Sequence, residues 1–230
     1  MALPRYLAMT AGEMLGSPPP PRLAYMACHF SSYGTGLSNC PAFLPEGSLL
    51  ILDDRTPIAG HAPVQIAGQL EAMAENFSIC GILLDFQRPG YEEAQALTEF
   101  LAEALPCPVI ASAMYAAKGF PVFLPPVPPD MSIKEYLCPW QGREIWLEAA
   151  LDGLELNLTA SGAVRTSLPW PDAGGEEFHD PALHCHYTVE VKKDSARFCL
   201  RRTRADVDAL LQEAEVLGVA AAVGLWQELS

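Results

Sequence analysis

The segment ICGILLDFQRP, Ile79–Pro89, is an apolar run that carries one carboxylate, Asp85, and one amide, Gln87, before a proline stops it. If the run is a strand, its period of two places Leu83, Asp85 and Gln87 on one face and Ile82, Leu84 and Phe86 on the other. Two acids at that spacing would make a proton-transfer pair. A primary amide hydrogen-bonds well but has no proton of suitable pKa to give, so Asp85 with Gln87 suits recognition better than acid catalysis. Other apolar runs close in the same manner: Asp53 ends SLLILDD, Glu148 lies near the end of EIWLEA, and Trp226 and Glu228 follow VAAAVGL. Each has a plainer use as well, a strand-terminal Asp as a loop cap and a Trp as core filling.

Such residues meet only if a scaffold gathers strand ends. Eight apolar runs can be read in order: 5–9, 23–30, 48–53, 79–86, 108–112, 121–124, 144–149 and 219–226. Between them, PVQIAGQLEAMAENF places Val64, Ile66, Leu70, Met73 and Phe77 near one helical face, and YEEAQALTEFLAEAL does so with Ala94, Leu97, Leu101 and Leu105. Strands joined by helical crossovers predict a parallel sheet, here an α/β TIM-type (β/α)8 barrel. Its helices would cover the Ile82 face, leaving Asp85 and Gln87 pointing into the lumen at the C-terminal mouth, where barrel enzymes place their sites.

The rhythm breaks between residues 152 and 202. LELNLTASGAVRTSL and HCHYTVEVKKDSARFCLRR each alternate across a turn and read as antiparallel hairpins, joined by the breaker-rich loop PWPDAGGEEFHDP. The expectation is one barrel domain over 1–230 with a β-rich insertion at 152–202, after the seventh strand. TRADVDALLQEAEVLG follows, with a capping-box pattern of Thr203 and Asp206 and a C-terminal Gly218.

Composition narrows the partners. The 230 residues are half apolar, enough for one sizeable core, and 28 acidic against 14 basic side chains give a formal charge of −14. That charge repels phosphate backbones and anionic bilayers, so neither nucleic acid nor a membrane is expected as a partner. No basic segment with a long apolar core opens the chain, and no run reaches the roughly 20 apolar residues of a membrane span. Seven cysteines without CxxC pairing suit reduced thiols, and a cytoplasmic protein is the expectation.

CGILLDFQ resembles the signature strand of the chitinase-like glycoside hydrolases, family 18, which reads Asp-Gly-x-Asp-x-Asp-x-Glu on the fourth strand of a TIM barrel. Gly81 matches the glycine, Asp85 the last aspartate and Phe86 the aromatic. GSLLIL in the place of the third strand, the β-rich insertion and the closing GVAAAVGLWQEL fit the same layout. The resemblance implies a barrel-mouth site for N-acetylated oligosaccharide, with Trp226 flooring the sugar. In that family's mechanism the substrate's N-acetyl oxygen attacks the anomeric carbon, the aspartate orients the acetamido group and the glutamate protonates the leaving oxygen. Cys80 and Leu83 replace the first two aspartates here, and Gln87 replaces the glutamate. Family-type hydrolysis is therefore expected to be lost, while a glycan or peptidoglycan fragment is still bound.

Two alternatives stay open: an active glycosidase whose acids have moved to Asp53, Glu148 or Glu228, and a partner-binding barrel with no sugar site. No cofactor is expected. His184 and His186 would share a strand face, but a third ligand at fixed spacing is missing, so HDPALHCHY reads as a solvated hairpin face and not as a metal site. Arg197, Arg201, Arg202 and Arg204 are expected to pair with surface carboxylates.

Overall fold

The computed structural model describes residues 2–168 and 175–230. The chain runs through β1 (Arg5–Met9), α1 (Ala11–Gly16), β2 (Leu23–Phe30), β3 (Leu37–Ser38), β4 (Leu49–Asp53), α2 (Pro63–Phe77), β5 (Gly81–Asp85) and α3 (Glu92–Ala104). It continues through β6 (Val109–Ser112), β7 (Val122–Leu124), α4 (Ile133–Leu137) and β8 (Ile145–Ala149). Five strands follow, β9 (Gly153–Thr159), β10 (Gly162–Leu168), β11 (Glu177–Asp180), β12 (Cys185–Lys192) and β13 (Ser195–Arg201), then α5 (Arg204–Val216), β14 (Ala221–Leu225) and α6 (Trp226–Leu229). Each of the eight apolar runs contains one barrel strand.

Those eight strands pair in parallel in the order β1-β2-β4-β5-β6-β7-β8-β14, and β14 returns to β1, so the sheet closes into a TIM-type barrel. Closure removes every free edge except where β3 adds antiparallel to β2. Alternation sorts the side chains into two layers. Ala8, Ala24, Leu49, Ile51, Leu83, Ile110, Phe123 and Val223 form the lumen core, with Tyr6 and Trp146 stacked at 5.5 Å against it. Leu50, Leu52, Ile82, Leu84 and Phe86 face outward onto Ile66, Leu70, Leu97 and Leu101 of α2 and α3. Gly81 makes the lumen packing possible, because a Cβ there would lie 3.1 Å from the Pro108 carbonyl oxygen and 3.2 Å from Ile110 Cδ1.

The helical coat is uneven. Pro63 at the first position of α2 and Glu92 and Glu93 in the first turn of α3 start the two long crossovers that flank β5. Among the described residues, the β2–β4 and β6–β7 connections carry no helix, and α1 and α4 span 6 and 5 residues. Val64, expected on the buried face of α2, is instead 72 % exposed, because Ala67 takes that place beside Ile66, Leu70 and Met73.

After β8 the chain leaves the barrel to build an antiparallel sheet in the order β10-β9-β13-β12-β11. The two hairpins are those expected from alternation. The third feature differs: residues 177–180, read from sequence as loop, pair with β12 as β11, while residues 169–174 of that loop lie outside the described residues. Leu154, Cys185 and Leu200 form the small core of this sheet. Arg197 and Arg201 meet Glu155 and Glu177 as expected for surface pairs. Arg202 does not. It is 1 % exposed and its guanidinium donates to the carbonyls of Val127, Pro128, Leu183 and His184, joining the insertion to the loop after β7.

Candidate functional site

The lumen opens at the C-terminal ends of the strands into a cavity of about 120 Å³ lined by Met26, Ile51, Leu83, Phe123, Val223 and Leu225, with Asp53, Arg55, Asp85 and Glu148 as its polar groups. Three carboxylates from three strands thus meet above an apolar floor. β4 and β5 are in register with Asp53 opposite Asp85, and Glu148 on β8 faces the same cavity.

Gln87 sits at the rim with its side chain exposed and its amide Nε2 donating to Asp85 Oδ1. Its backbone is held as well. The buried Asp54 carboxylate accepts the N–H groups of Gln87 at 3.1 Å and Arg88 at 3.0 Å, and Ser112 Oγ donates to the Phe86 carbonyl at 2.8 Å. The turn after β5 is therefore positioned by side chains of β6 and of the loop after β4, which keeps the amide over the aspartate. Tyr115, whose hydroxyl bonds the Arg88 carbonyl, completes the support.

Burial pushes the Asp85 carboxyl up from its ordinary value; the Gln87 amide works against that shift, and the charges of Asp53 and Asp54 add to it. Glu148 moves further, to about 7, first through burial and then through the charges of Asp85, Asp152 and Glu228. A carboxyl with that value is partly protonated at neutral pH and is able to donate a proton or a hydrogen bond. Asp53 is occupied differently: Arg55 Nε lies 2.8 and 2.7 Å from its two oxygens, and the Arg55 amide donates to Oδ1 at 3.0 Å. Both partners of this pair line the cavity.

Of the residues singled out by sequence, the cavity gathers Asp53, Asp85 and Glu148, with Gln87 bonded at its edge. Trp226 opens α6 and packs against the apolar layer outside the barrel, and it is not among the cavity-lining groups. Glu228 accepts the Leu151 N–H at 2.9 Å and ties α6 to the end of β8; it reaches the site only through its charge on Glu148. Close packing there leaves no room at Gly224, where a Cβ would collide with the Ala149 carbonyl oxygen and Leu229 Cδ1. Arg55 and Asp54 were missed. The run of three charged residues in SLLILDDR was the signal for both, since charges crowded at a strand end must find partners.

The closed parallel barrel, with its β-rich sheet after the seventh barrel strand, has solved counterparts. Several solved structures share it with this chain. The Bacillus cereus spore cortex-lytic enzyme SleL matches over 100 % of this chain and 72 % of its own, at 12 % identity and a TM-score of 0.58. The chitinase-like agglutinin RobpsCRA from Robinia pseudoacacia covers 98 % of this chain and 95 % of its own, at 11 % identity and a TM-score of 0.60. A chitinase from Chromobacterium violaceum covers 97 % and 93 %, at 11 % identity and 0.54. No family model and no curated protein sequence matches the chain. The resemblance read from the β5 segment thus extends to the fold. Among the described residues, no helix is long and apolar enough to cross a membrane.

Proposed function

We propose that this protein is a chitinase-like barrel that binds a glycan carrying N-acetyl groups, such as a chitin oligomer or a peptidoglycan fragment, at the C-terminal mouth without family-type hydrolysis. The observation that carries this reading is the Gln87 amide bonded to Asp85: where related enzymes hold their proton donor, a group without a transferable proton occupies the aspartate. The size of the lumen is consistent with it. About 120 Å³ is well below the roughly 300–1,000 Å³ of pockets that enclose a whole ligand. A sugar chain therefore lies across the rim and sends one substituent, an acetamido group, onto the apolar floor toward Asp85. An agglutinin among the structures of this fold supports binding as a use for such a barrel. Unpaired thiols support a reducing, cytoplasmic setting, and the charge of −14 disfavours nucleic acid and anionic membranes as partners.

Calorimetric titration with N-acetylglucosamine oligomers is expected to saturate below about 1 mM. Asp85→Ala is expected to weaken that binding at least about tenfold, by loss of a hydrogen bond to a charged acceptor. No saturable change at millimolar oligomer overturns the reading.

A second reading rests on Glu148, whose value of about 7 suits a general acid facing Asp85. On that reading the chain hydrolyses an aryl N-acetylglucosaminide, the activity disappears in Glu148→Gln and it survives in Gln87→Ala.

A further inference from the structure

We propose that His179, His186 and Asp206 form a binding site for a divalent transition-metal ion of the zinc class, which clasps the outer hairpin of the insertion to the first turn of α5. The site is independent of the barrel mouth and of the glycan reading.

Three separate segments supply the ligands. His179 on β11 and His186 on β12 are partners across the antiparallel ladder, with ring centroids 4.8 Å apart. Asp206 is the third residue of α5 and is 4 % exposed. One ligand atom from each of the three lies within 4.8 Å of the other two. The closest approaches are His179 Nε2 to Asp206 Oδ1 at 3.0 Å and His186 Nδ1 to Asp206 Oδ2 at 2.9 Å. Tetrahedral zinc with bonds near 2.0–2.1 Å holds its ligand atoms about 3.3 Å apart; the two His–Asp contacts lie within a few tenths of an ångström of that, and the two ring nitrogens, within 4.8 Å of each other, close by at most about 1.5 Å to admit the ion.

The carboxylate is already oriented for this. Asp206 Oδ2 accepts the Thr203 N–H at 2.8 Å and the Thr203 hydroxyl at 2.7 Å, so the capping box fixes its rotamer and leaves Oδ1 with His179 alone. As a ligand each ring presents the nitrogen that faces Asp206 to the ion and keeps its N–H on the other nitrogen. His179 is 44 % exposed on its side chain, so a fourth, solvent position stays open.

Two charges oppose the ion and each is offset. The positive end of the α5 dipole meets the Asp206 carboxylate. Arg201, beside His186 in the ladder, is paired with Glu177. His184 does not belong to the cluster. It turns away at a φ of 48° and bonds Glu213 at 2.7 Å, and for that reason the His184–His186 pair suggested by sequence is not the ligand pair.

Zinc titrated calorimetrically into the metal-free full chain is expected to bind with one equivalent and to raise the melting temperature by several degrees. Cobalt in place of zinc is expected to show no thiolate charge-transfer band, which excludes the seven cysteines as ligands. His179→Asn and His186→Asn should each weaken binding at least about tenfold, the loss typical when a site's ligand shell is disturbed, whereas His184→Asn should leave it unchanged. Because His179 is exposed, its variant is expected to fold, and its circular dichroism spectrum checks this. No binding at about 1 mM zinc, or one-equivalent binding that survives either ligand substitution in a folded variant, overturns the proposal.

Discussion

Replacing Arg202 with alanine is expected to destabilise the protein by about 3–5 kcal/mol, the cost typical of breaking a buried charged network. The side chain is almost wholly buried and donates to Val127, Pro128, Leu183 and His184, carbonyls that belong to two chain segments far apart in sequence. Alanine leaves these oxygens without donors, opens a cavity and removes the balancing cation near Asp130, Asp152 and Asp206. Burial lowers the guanidinium pKa from its ordinary value, and those acids act in the opposite sense, keeping it charged. Lysine at this position is expected to recover part of the loss, since it restores the charge but not the fork of donors. Urea unfolding measures both variants. A loss below about 1 kcal/mol for alanine would mean that water replaces the guanidinium without penalty.

Glu148→Gln is expected to stabilise the protein at pH 8 while leaving it nearly unchanged at pH 4. The native carboxyl titrates at about 7 against an ordinary value of 4.5, so the folded state holds this proton more tightly than the unfolded state does. Stability from this group is full below pH 4.5 and is lost as pH rises through about 7. The loss is at most about 3–4 kcal/mol, less whatever solvent at the mouth screens. Glutamine keeps the shape of the protonated acid and cannot ionise, so the variant's profile should be flatter across this interval. Melting temperatures of the two proteins between pH 4 and pH 8 decide it, and parallel profiles would show that Glu148 titrates normally. The same variant tests the second functional reading, which couples a gain in stability at alkaline pH to loss of hydrolysis.

How far the molecule could be read in advance depended on whether a feature was local. The eight strands were legible because a strand buried on both faces must be an unbroken apolar run, as in LLIL of β4 and GILL of β5. Asp85 was legible as a mouth residue because period two and a strand end are both local properties. Capping of α5 by Thr203 and Asp206 was legible for the same reason. Trp226 was a harder case: in sequence it follows a strand like the mouth acids, yet the start of α6 right after β14 turns it onto the outer layer.

The parallel barrel, the β-rich sheet after its seventh strand and the amide Gln87 two residues beyond Asp85 could be read along the chain, because hydrophobic period, turn chemistry and residue type are local properties. Which acids share a cavity, that Arg202 is a buried clamp and not a surface pair, and that Asp206 completes a cluster with His179 and His186 emerged from the folded chain alone. Each of these depends on side chains from strands and helices tens of residues apart, whose distance is set by barrel closure and by the docking of the insertion, and neither leaves a periodic trace in the sequence.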